Sequence, residues 1–296
     1  MYFLYNILIL ILILIYLPIL IFSRLKGNYS EGLMEKFSMF STELVKSLQG
    51  EDLIWIQAAS VGEVMAAEAL INEIREEFPE YKILLSCNTN TGRKTAKKLE
   101  ADIDGIIYFP FDLKLFVKRS LKSFKPEMLI LIETELWPNF IKEAKKEDIK
   151  VMVASGRISD SSIKSYKYIK PLLRKALHKV DYFAMRSKED AERIKRLGAK
   201  ESNVSVEGNI KFDRDFGNSD LSEDMIRKEF KIAENKAVVV AGSTHDDEEK
   251  KLISVYRKLK DEYGEVVLLI APRFIKRAKE IRNIYKKAGI DTILRP

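Results

Sequence analysis

Apolar runs of six or seven residues alternate with amphipathic helical segments along most of this chain. This alternation limits the fold more than any other feature. Six runs precede residue 213, at 53–59, 82–88, 128–133, 150–155, 181–186 and 204–209. Strands joined by helical crossovers pair in parallel, because the helix returns the chain to the same end of the sheet. We therefore predict an α/β protein with a doubly wound parallel sheet.

A polar stretch at 214–236 lacks such runs and predicts a linker between two domains. Three apolar runs follow it, at 237–243, 266–272 and 291–294. A domain of this type normally has about five or six strands, so only part of a second domain fits here. The prediction is a complete N-terminal Rossmann-like domain at 24–213 and a truncated C-terminal Rossmann-like domain at 237–296. We accordingly expect the chain to be a fragment.

The N-terminal residues 2–23 carry no charge. A helix of that length rises about 1.5 Å per residue and can cross a hydrocarbon layer of about 30 Å. Arg24 and Lys26 follow directly, and the positive-inside rule then places the rest of the chain in the cytoplasm. A signal peptide fits less well, because this segment has neither the basic start nor the small-residue cleavage pattern of one. We predict a membrane anchor at 1–23, while Pro18 leaves open a helix that lies in one leaflet.

Charge and composition exclude several classes of protein. The formal charge of +7 is spread along the chain without the basic runs of a nucleic-acid tail. It fits either a solvated surface or attraction to anionic lipid or a phosphorylated substrate. The single cysteine, Cys87, excludes an intrachain disulfide, and two histidines, His178 and His245, argue against a His-rich metal centre. A metal site at Asp246 and Asp247 is less favoured than a capped helix start.

Polar side chains follow the predicted strands, at the edge where open α/β sheets bind ligands. Ser60, Gly62 and Glu63 follow the first strand. Glu63 either complements the helix dipole or acts as a general base. Glu133 ends a wholly apolar strand, where an ionised carboxylate costs several kcal/mol unless it has partners. Lys211 is either a surface lysine or a partner for a substrate phosphate or carboxylate.

Taken in order, these segments resemble the Kdo (3-deoxy-D-manno-octulosonic acid) transferases of lipid A biosynthesis. The matching stretches are SVGE at 60–63, NTNTG at 88–92, YFPFD at 108–112, ETELWPN at 133–139, GRIS at 156–159, GNIKFD at 208–213, STH at 243–245 and APR at 271–273. SVGE alone is a weak motif, whereas ETELWPN and GNIKFD in sequence with it are highly specific. The resemblance extends over nearly the whole chain.

The resemblance implies a GT-B architecture, with an acceptor-side N-terminal domain and a nucleotide-sugar-binding C-terminal domain. It implies an inverting, metal-independent transfer of Kdo from CMP-Kdo to a lipid A precursor at the inner membrane. Glu63 corresponds to the catalytic base, and Glu133 and Lys211 to groups that stabilise the transition state. The implied substrate-binding residues are Ser60, Gly62, Ser243, His245, Pro272 and Arg273. No cofactor and no nucleic acid is implied, and the partners are CMP-Kdo, the lipid A precursor and the phospholipid surface.

The chain departs from the family pattern in two ways. Phe274 stands where the family usually has histidine after the Pro-Arg pair, and the later nucleotide motifs would lie beyond Pro296. We therefore expect the 296-residue chain alone to be inactive or weakly active. Two alternatives remain, another lipid-directed GT-B glycosyltransferase or a catalytically dead membrane-tethered scaffold. A dinucleotide oxidoreductase is disfavoured, because no GxGxxG follows the first strand.

Overall fold

The computed structural model describes residues 1–25, 32–99, 102–166, 169–213 and 222–295, without the side chains of 19–25, 164 and 165. The chain divides into two compact units, Met1–Asp215 and Phe216–Pro296. The strands of the first unit are β1 (Leu53–Gln57), β2 (Lys82–Cys87), β3 (Gly105–Tyr108), β4 (Met128–Ile132), β5 (Lys150–Gly156), β6 (Tyr182–Met185) and β7 (Val204–Val206). Its helices are α1 (Tyr2–Leu25), α2 (Leu33–Lys36), α3 (Thr42–Leu48), α4 (Val61–Glu77), α5 (Asn90–Ala96), α6 (Lys114–Phe124), α7 (Pro138–Ala144), α8 (Asp160–Tyr166), α9 (Lys170–Leu177) and α10 (Lys188–Leu197).

The first unit is built on one seven-stranded sheet with the order β3-β2-β1-β4-β5-β6-β7. All six strand pairings are parallel, which confirms the predicted parallel α/β sheet. The strand order reverses between β1 and β4, and ligands of such sheets bind outside the carboxyl ends of the strands at this point. The sequence prediction missed β3, whose four residues, GIIY, make a shorter apolar run than the other strands.

Both faces of this sheet are buried, which explains why its strands read as continuous apolar runs rather than alternating patterns. Along β1, Leu53 and Trp55 belong to the core on one face, while Ile54 and Ile56 belong to the core on the other. Trp55 packs edge-on against two phenylalanines of the helices above it, with ring centroids 5.6 Å from Phe124 and 5.0 Å from Phe140. The two layers bury β1 on both faces, beside the central strand β4.

The first turn of α1 is hydrogen-bonded to the body of the unit. Tyr5 Oη donates to Asp112 Oδ2 at 2.8 Å, and the amides of Asn6 and Asn139 bond each other at 3.3 and 3.2 Å. Asp112 also accepts from the backbone N–H groups of Asn139 (3.0 Å) and Phe140 (2.8 Å). One buried carboxylate therefore caps α7 and fastens α1.

Among the described residues, no helix combines the length and the hydropathy that crossing a bilayer requires. The anchor at 1–23 thus stays a prediction. Lys26 and the side chain of Arg24, on which its orientation depends, lie outside the described residues.

The second unit contains two parallel strands, β8 (Ala237–Thr244) and β9 (Val266–Pro272). Its helices are α11 (Glu223–Phe230), α12 (Glu248–Tyr263) and α13 (Ala278–Lys287). The predicted strand at 291–294 is wrong. A strand needs a backbone partner, and these residues leave α13 through Gly289, at φ +75°, without joining the β8–β9 sheet.

The shared role of Asp112 generates a stability prediction. Asp112→Ala leaves two N–H groups at the start of α7 without their acceptor, so we expect the free energy of unfolding to fall by about 1–3 kcal/mol. Urea denaturation followed by far-UV circular dichroism measures this loss. Asp52→Ala, at an exposed aspartate before β1, is the matched control, with an expected change within about 0.5 kcal/mol. Equal stability of the two variants would contradict the capping role.

Candidate active site

The loops after β1 and β4 meet at the reversal point of the sheet. The side chain of Gln57, the last residue of β1, reaches across to the loop after β4, where its Nε2 donates to Glu135 Oε2 at 3.3 Å. Glu63 lies in the first turn of α4 on one side of this junction, and Glu133 directly follows β4 on the other. Two of the three residues that the sequence selected for chemistry therefore flank the point where the fold favours ligand binding.

Glu63 lies in the first turn of α4 and folds back on the preceding loop. Its carboxylate accepts from Ala59 N–H at 2.6 Å and from the Ser60 hydroxyl at 3.2 Å. These bonds resemble a capping box. They agree with the structural interpretation of Glu63, in which the acid stabilises the start of α4. Burial and, to a smaller extent, the negative charge of Glu135 nevertheless raise the pKa of Glu63 to about 7. The two hydrogen bonds lower this pKa, but by less. A carboxylate with this pKa exchanges protons readily at neutral pH.

Glu133 adopts an unusual backbone conformation, with φ +59° in the left-handed region. Such a conformation costs a non-glycine residue about 1–3 kcal/mol. Its backbone N–H still bonds Ala154 O at 2.9 Å, so the ladder with β5 continues to the residue where the chain turns. Its side chain meets two cations, Lys211 Nζ at 2.6 Å and Arg186 Nη1 at 3.9 Å. These cations supply the partners that a carboxylate at the end of an apolar strand requires.

Lys211 follows β7, which is an edge strand of the sheet, whereas Glu63 and Glu133 follow interior strands. Lys211 sits in a short 3₁₀ turn, Ile210–Phe212, that follows β7. Asn209 caps this turn, because its Oδ1 accepts from Lys211 N–H at 3.2 Å. A β-carbon placed on Gly62 would lie 3.9 Å from Lys211 Nζ, so the ammonium group lies over the start of α4. The structure thus brings Gly62, Glu133 and Lys211 together, next to Glu63.

A chain of buried and partly buried polar side chains lies next to this site, and sequence reasoning did not assign its members. The fully buried Gln57 bonds Asn88 Oδ1 through Nε2 at 3.1 Å and accepts from the Ser86 hydroxyl. Glu135 accepts from Trp137 Nε1 at 2.5 Å, and burial raises its pKa. The available signal was a polar residue inside each of two apolar strands, Gln57 in LIWIQ and Ser86 in KILLSC.

The remaining site predictions fall in the second unit, at the carboxyl ends of β8 and β9. Ser243 takes a left-handed conformation (φ +57°) at an irregularity of β8, and Arg273 N–H bonds Thr244 O at 2.9 Å. His245 meets Phe274 edge to face, with ring centroids 6.1 Å apart. The residue that departs from the family pattern therefore contacts a predicted site residue. Within the described part of the chain, no group of three His, Cys, Asp or Glu side chains forms a potential metal site.

Comparison with known proteins adds family information to this geometry. The model of the family described as "3-Deoxy-D-manno-octulosonic-acid transferase (kdotransferase)" matches residues 31–214. A bifunctional glycosyltransferase/methyltransferase of Fusobacterium nucleatum is 37% identical over 269 residues, which are 88% of this chain and 41% of that protein. A 3-deoxy-D-manno-octulosonic acid transferase of Haemophilus influenzae is 30% identical over 269 residues, 90% of this chain and 62% of that protein. The chain thus spans about two fifths to three fifths of these relatives.

The fold also has solved counterparts. A glycosyltransferase from Rickettsia africae superposes with a TM-score of 0.56 at 12% identity, over 81% of this chain and 66% of that one. At such low identity the likeness establishes a shared Rossmann-like architecture only. The family match covers the part of the chain that carries Glu63, Glu133 and Lys211. This chain belongs to the Kdo transferase family.

Proposed function

We propose that this protein transfers Kdo from CMP-Kdo to a lipid A precursor, with inversion at the anomeric carbon and without a metal ion. The observation that carries the proposal is the site at the reversal point of the sheet. There, Glu63 has a pKa of about 7 and lies beside the Lys211–Glu133 ion pair. Membership of the Kdo transferase family supports the choice of sugar.

Glu63 is the general base in this proposal. An inverting transfer needs one group that takes the proton of the acceptor hydroxyl while its oxygen attacks the anomeric carbon, opposite the departing CMP. A base works best when its pKa lies near the working pH, because it is then ionised and still basic enough to accept the proton. The raised pKa of Glu63 meets this requirement.

Lys211 and Glu133 stabilise the charges of the transition state. The carboxylate of Kdo and the phosphate of the leaving CMP both carry negative charge, which a fixed cation offsets better than mobile water does. The bond from Lys211 Nζ to Glu133 Oε1 at 2.6 Å holds the ammonium group over Gly62. Ser60 and Gly62 bind substrate at the start of α4, where backbone N–H groups favour an anion.

The donor nucleotide is assigned to the second unit. Ser243, His245, Pro272 and Arg273 lie at the carboxyl ends of two parallel strands, which is the usual position for nucleotide contacts in this architecture. Arg273 would pair with the phosphate of CMP. No cofactor takes part, because the activated donor supplies the leaving group.

The acceptor places the reaction at the cytoplasmic face of the inner membrane, with the N-terminal anchor holding the protein there. Much of the first part of α1 presents apolar side chains to its surroundings, namely Phe3, Leu4, Leu8, Leu10, Ile11, Leu12, Leu14 and Ile15. An apolar surface of this kind favours contact with lipid. The formal charge of +7 favours an anionic surface in addition.

Removing the base tests the proposal directly. In the whole gene product that contains this chain, Glu63→Gln should lower Kdo transfer by about 10²–10⁴-fold, because the amide cannot accept the proton. Transfer of labelled Kdo from CMP-Kdo to tetraacylated lipid A precursor measures the loss, and circular dichroism checks the fold. Glu73→Gln, at an exposed glutamate of the same helix, should leave the rate unchanged. Equal rates for both variants, or transfer from UDP-sugars instead of CMP-Kdo, would refute the proposed reaction.

The environment of Glu63 generates a pH prediction. As the pH falls through about 7, Glu63 takes up a proton and loses its ability to act as a base, so kcat/KM should fall on the acid side. Burial of the carboxyl group remains in a Glu135→Gln variant, but the negative charge that adds to the shift is gone. The midpoint of the acid limb should therefore move to lower pH.

The matched control for this experiment is Glu147→Gln, at an exposed glutamate just after α7. It should keep the midpoint near pH 7. If Glu135→Gln leaves the midpoint of the fall in kcat/KM at acid pH unchanged, or moves it to higher pH, Glu63 is not the group that titrates.

A further inference from the structure

A cavity of about 270 Å³ lies between α1 and the carboxyl edge of the sheet in the first unit. Its walls are mainly apolar, with Leu12 and Ile13 of α1 on one side and Phe109 and Trp137 on the other. The proposed mechanism uses none of these side chains. An apolar cavity with few polar groups is the usual form of a small-molecule site, and this one is close to the lower end of the common size range.

One cation, Lys36, lines this cavity. Its Nζ donates to the backbone oxygen of Asn88 at 3.4 Å and lies over the Tyr108 ring, 5.5 Å from the centroid. Among the described residues it forms no ion pair with a carboxylate. Burial lowers the pKa of Lys36, which means that its charged form lacks part of the solvation it would have in water. An anion at this position would supply the missing partner.

The acid that lines the same cavity does not compete for that role. Asp112 accepts hydrogen bonds from Tyr5 Oη, Asn139 N–H and Phe140 N–H, so its carboxylate is directed to the start of α7. The cavity therefore combines apolar walls with one cation that has no carboxylate partner among the described residues. This combination is complementary to an amphiphile with an anionic group.

Asn88 connects the cavity to the site around Glu63. Its Oδ1 accepts from Gln57 Nε2 at 3.1 Å, and its backbone N–H bonds Ala59 O at 3.1 Å. Ala59 in turn donates its N–H to Glu63. A ligand in the cavity is thus one residue away from the loop that positions the proposed base.

We propose that this cavity binds an acyl chain of the lipid acceptor and that Lys36 pairs with a phosphate of the same molecule. The inference rests on the proposed function, because that function makes the acceptor an acylated phosphosugar. Leu12 and Tyr16 are about half exposed where α1 borders the cavity, so the apolar walls continue onto the exposed face of α1. This continuity provides an apolar path from lipid to the site and selects an acyl chain rather than a soluble sugar.

The two tryptophans of the chain provide a direct test. Trp137 lines the cavity, whereas Trp55 is fully buried in the core. A lysophosphatidic acid with a dibromostearoyl chain, added to the 296-residue chain below its micelle concentration, should quench Trp137 fluorescence. A Trp137→Phe variant should show no quenching of the remaining Trp55.

Unlabelled tetraacylated lipid A precursor should relieve the quenching by competition. An unlabelled monoacylglycerol of the same chain length, which lacks the phosphate, should compete at least about tenfold less well.

Matched variants separate the two parts of the site. Leu12→Gln should weaken probe binding about tenfold, because it puts an amide into the apolar wall. Leu14→Gln, at a similarly exposed leucine of α1 that does not line the cavity, should have no effect (51% exposed for Leu12 and 57% for Leu14). Lys36→Met should weaken binding of the phosphorylated probe about tenfold, but not binding of the monoacylglycerol with the same chain. Lys36→Arg should retain the preference for phosphate.

The outcomes distinguish this inference from the proposed function. Unquenched Trp137, equal effects of Leu12→Gln and Leu14→Gln, or equal competition by the monoacylglycerol and the tetraacylated precursor would overturn the acyl-chain site even if Kdo transfer is observed. Quenching that follows the pattern above supports the site, because the binding assay requires neither donor nor turnover. Failure of Kdo transfer alone would then count against the proposed reaction.

Discussion

The ion pair between Lys211 and Glu133 is the contact on which the site depends. Glu133 directly follows the apolar strand β4 in a left-handed conformation, and Lys211 follows β7, three positions away in the sheet. Their 2.6 Å contact holds the turn after β7 against the point between β1 and β4 where the strand order reverses. Without it, a largely buried carboxylate would lose its closest partner and keep, among the described residues, only Arg186, at 3.9 Å. The backbone strain at Glu133 is therefore tolerated because this contact offsets it.

The carboxylates around this pair differ in their surroundings. The electrostatic influence of both Glu133 and Glu135 reaches Glu63, and both raise its pKa. Glu133 is paired with cations, whereas Glu135 is held by Trp137 and Gln57, which are neutral donors. Glu63 keeps only the hydrogen bonds of its own loop. The proposed mechanism uses this difference, with Glu63 in the acid–base role and the Lys211–Glu133 pair in the electrostatic role.

Much of the first unit followed from its sequence, because parallel strands buried on both faces leave long apolar runs. Glu63 and Glu133 were selected as candidates because they lie at, or within a few residues of, the ends of such runs. β3 was missed since four residues make too short a run, and a strand was wrongly placed at 291–294 because an apolar run does not reveal whether a partner strand is available. The role of Asp112 depends on Tyr5, 107 residues away, and that of Glu135 on Gln57, 78 residues away. Partners so distant in sequence become visible only in the folded chain.

A double-mutant cycle on Glu133 and Lys211 tests the central claim most directly. Rates of Kdo transfer would be compared for the whole gene product carrying Glu133→Gln, Lys211→Met, both changes or neither. If the two side chains act as one unit, the double variant should be little slower than the worse single variant. The coupling energy should then be about 1–3 kcal/mol. Single effects that add to within about 0.5 kcal/mol, or variants that transfer as fast as the unaltered protein, would contradict the account.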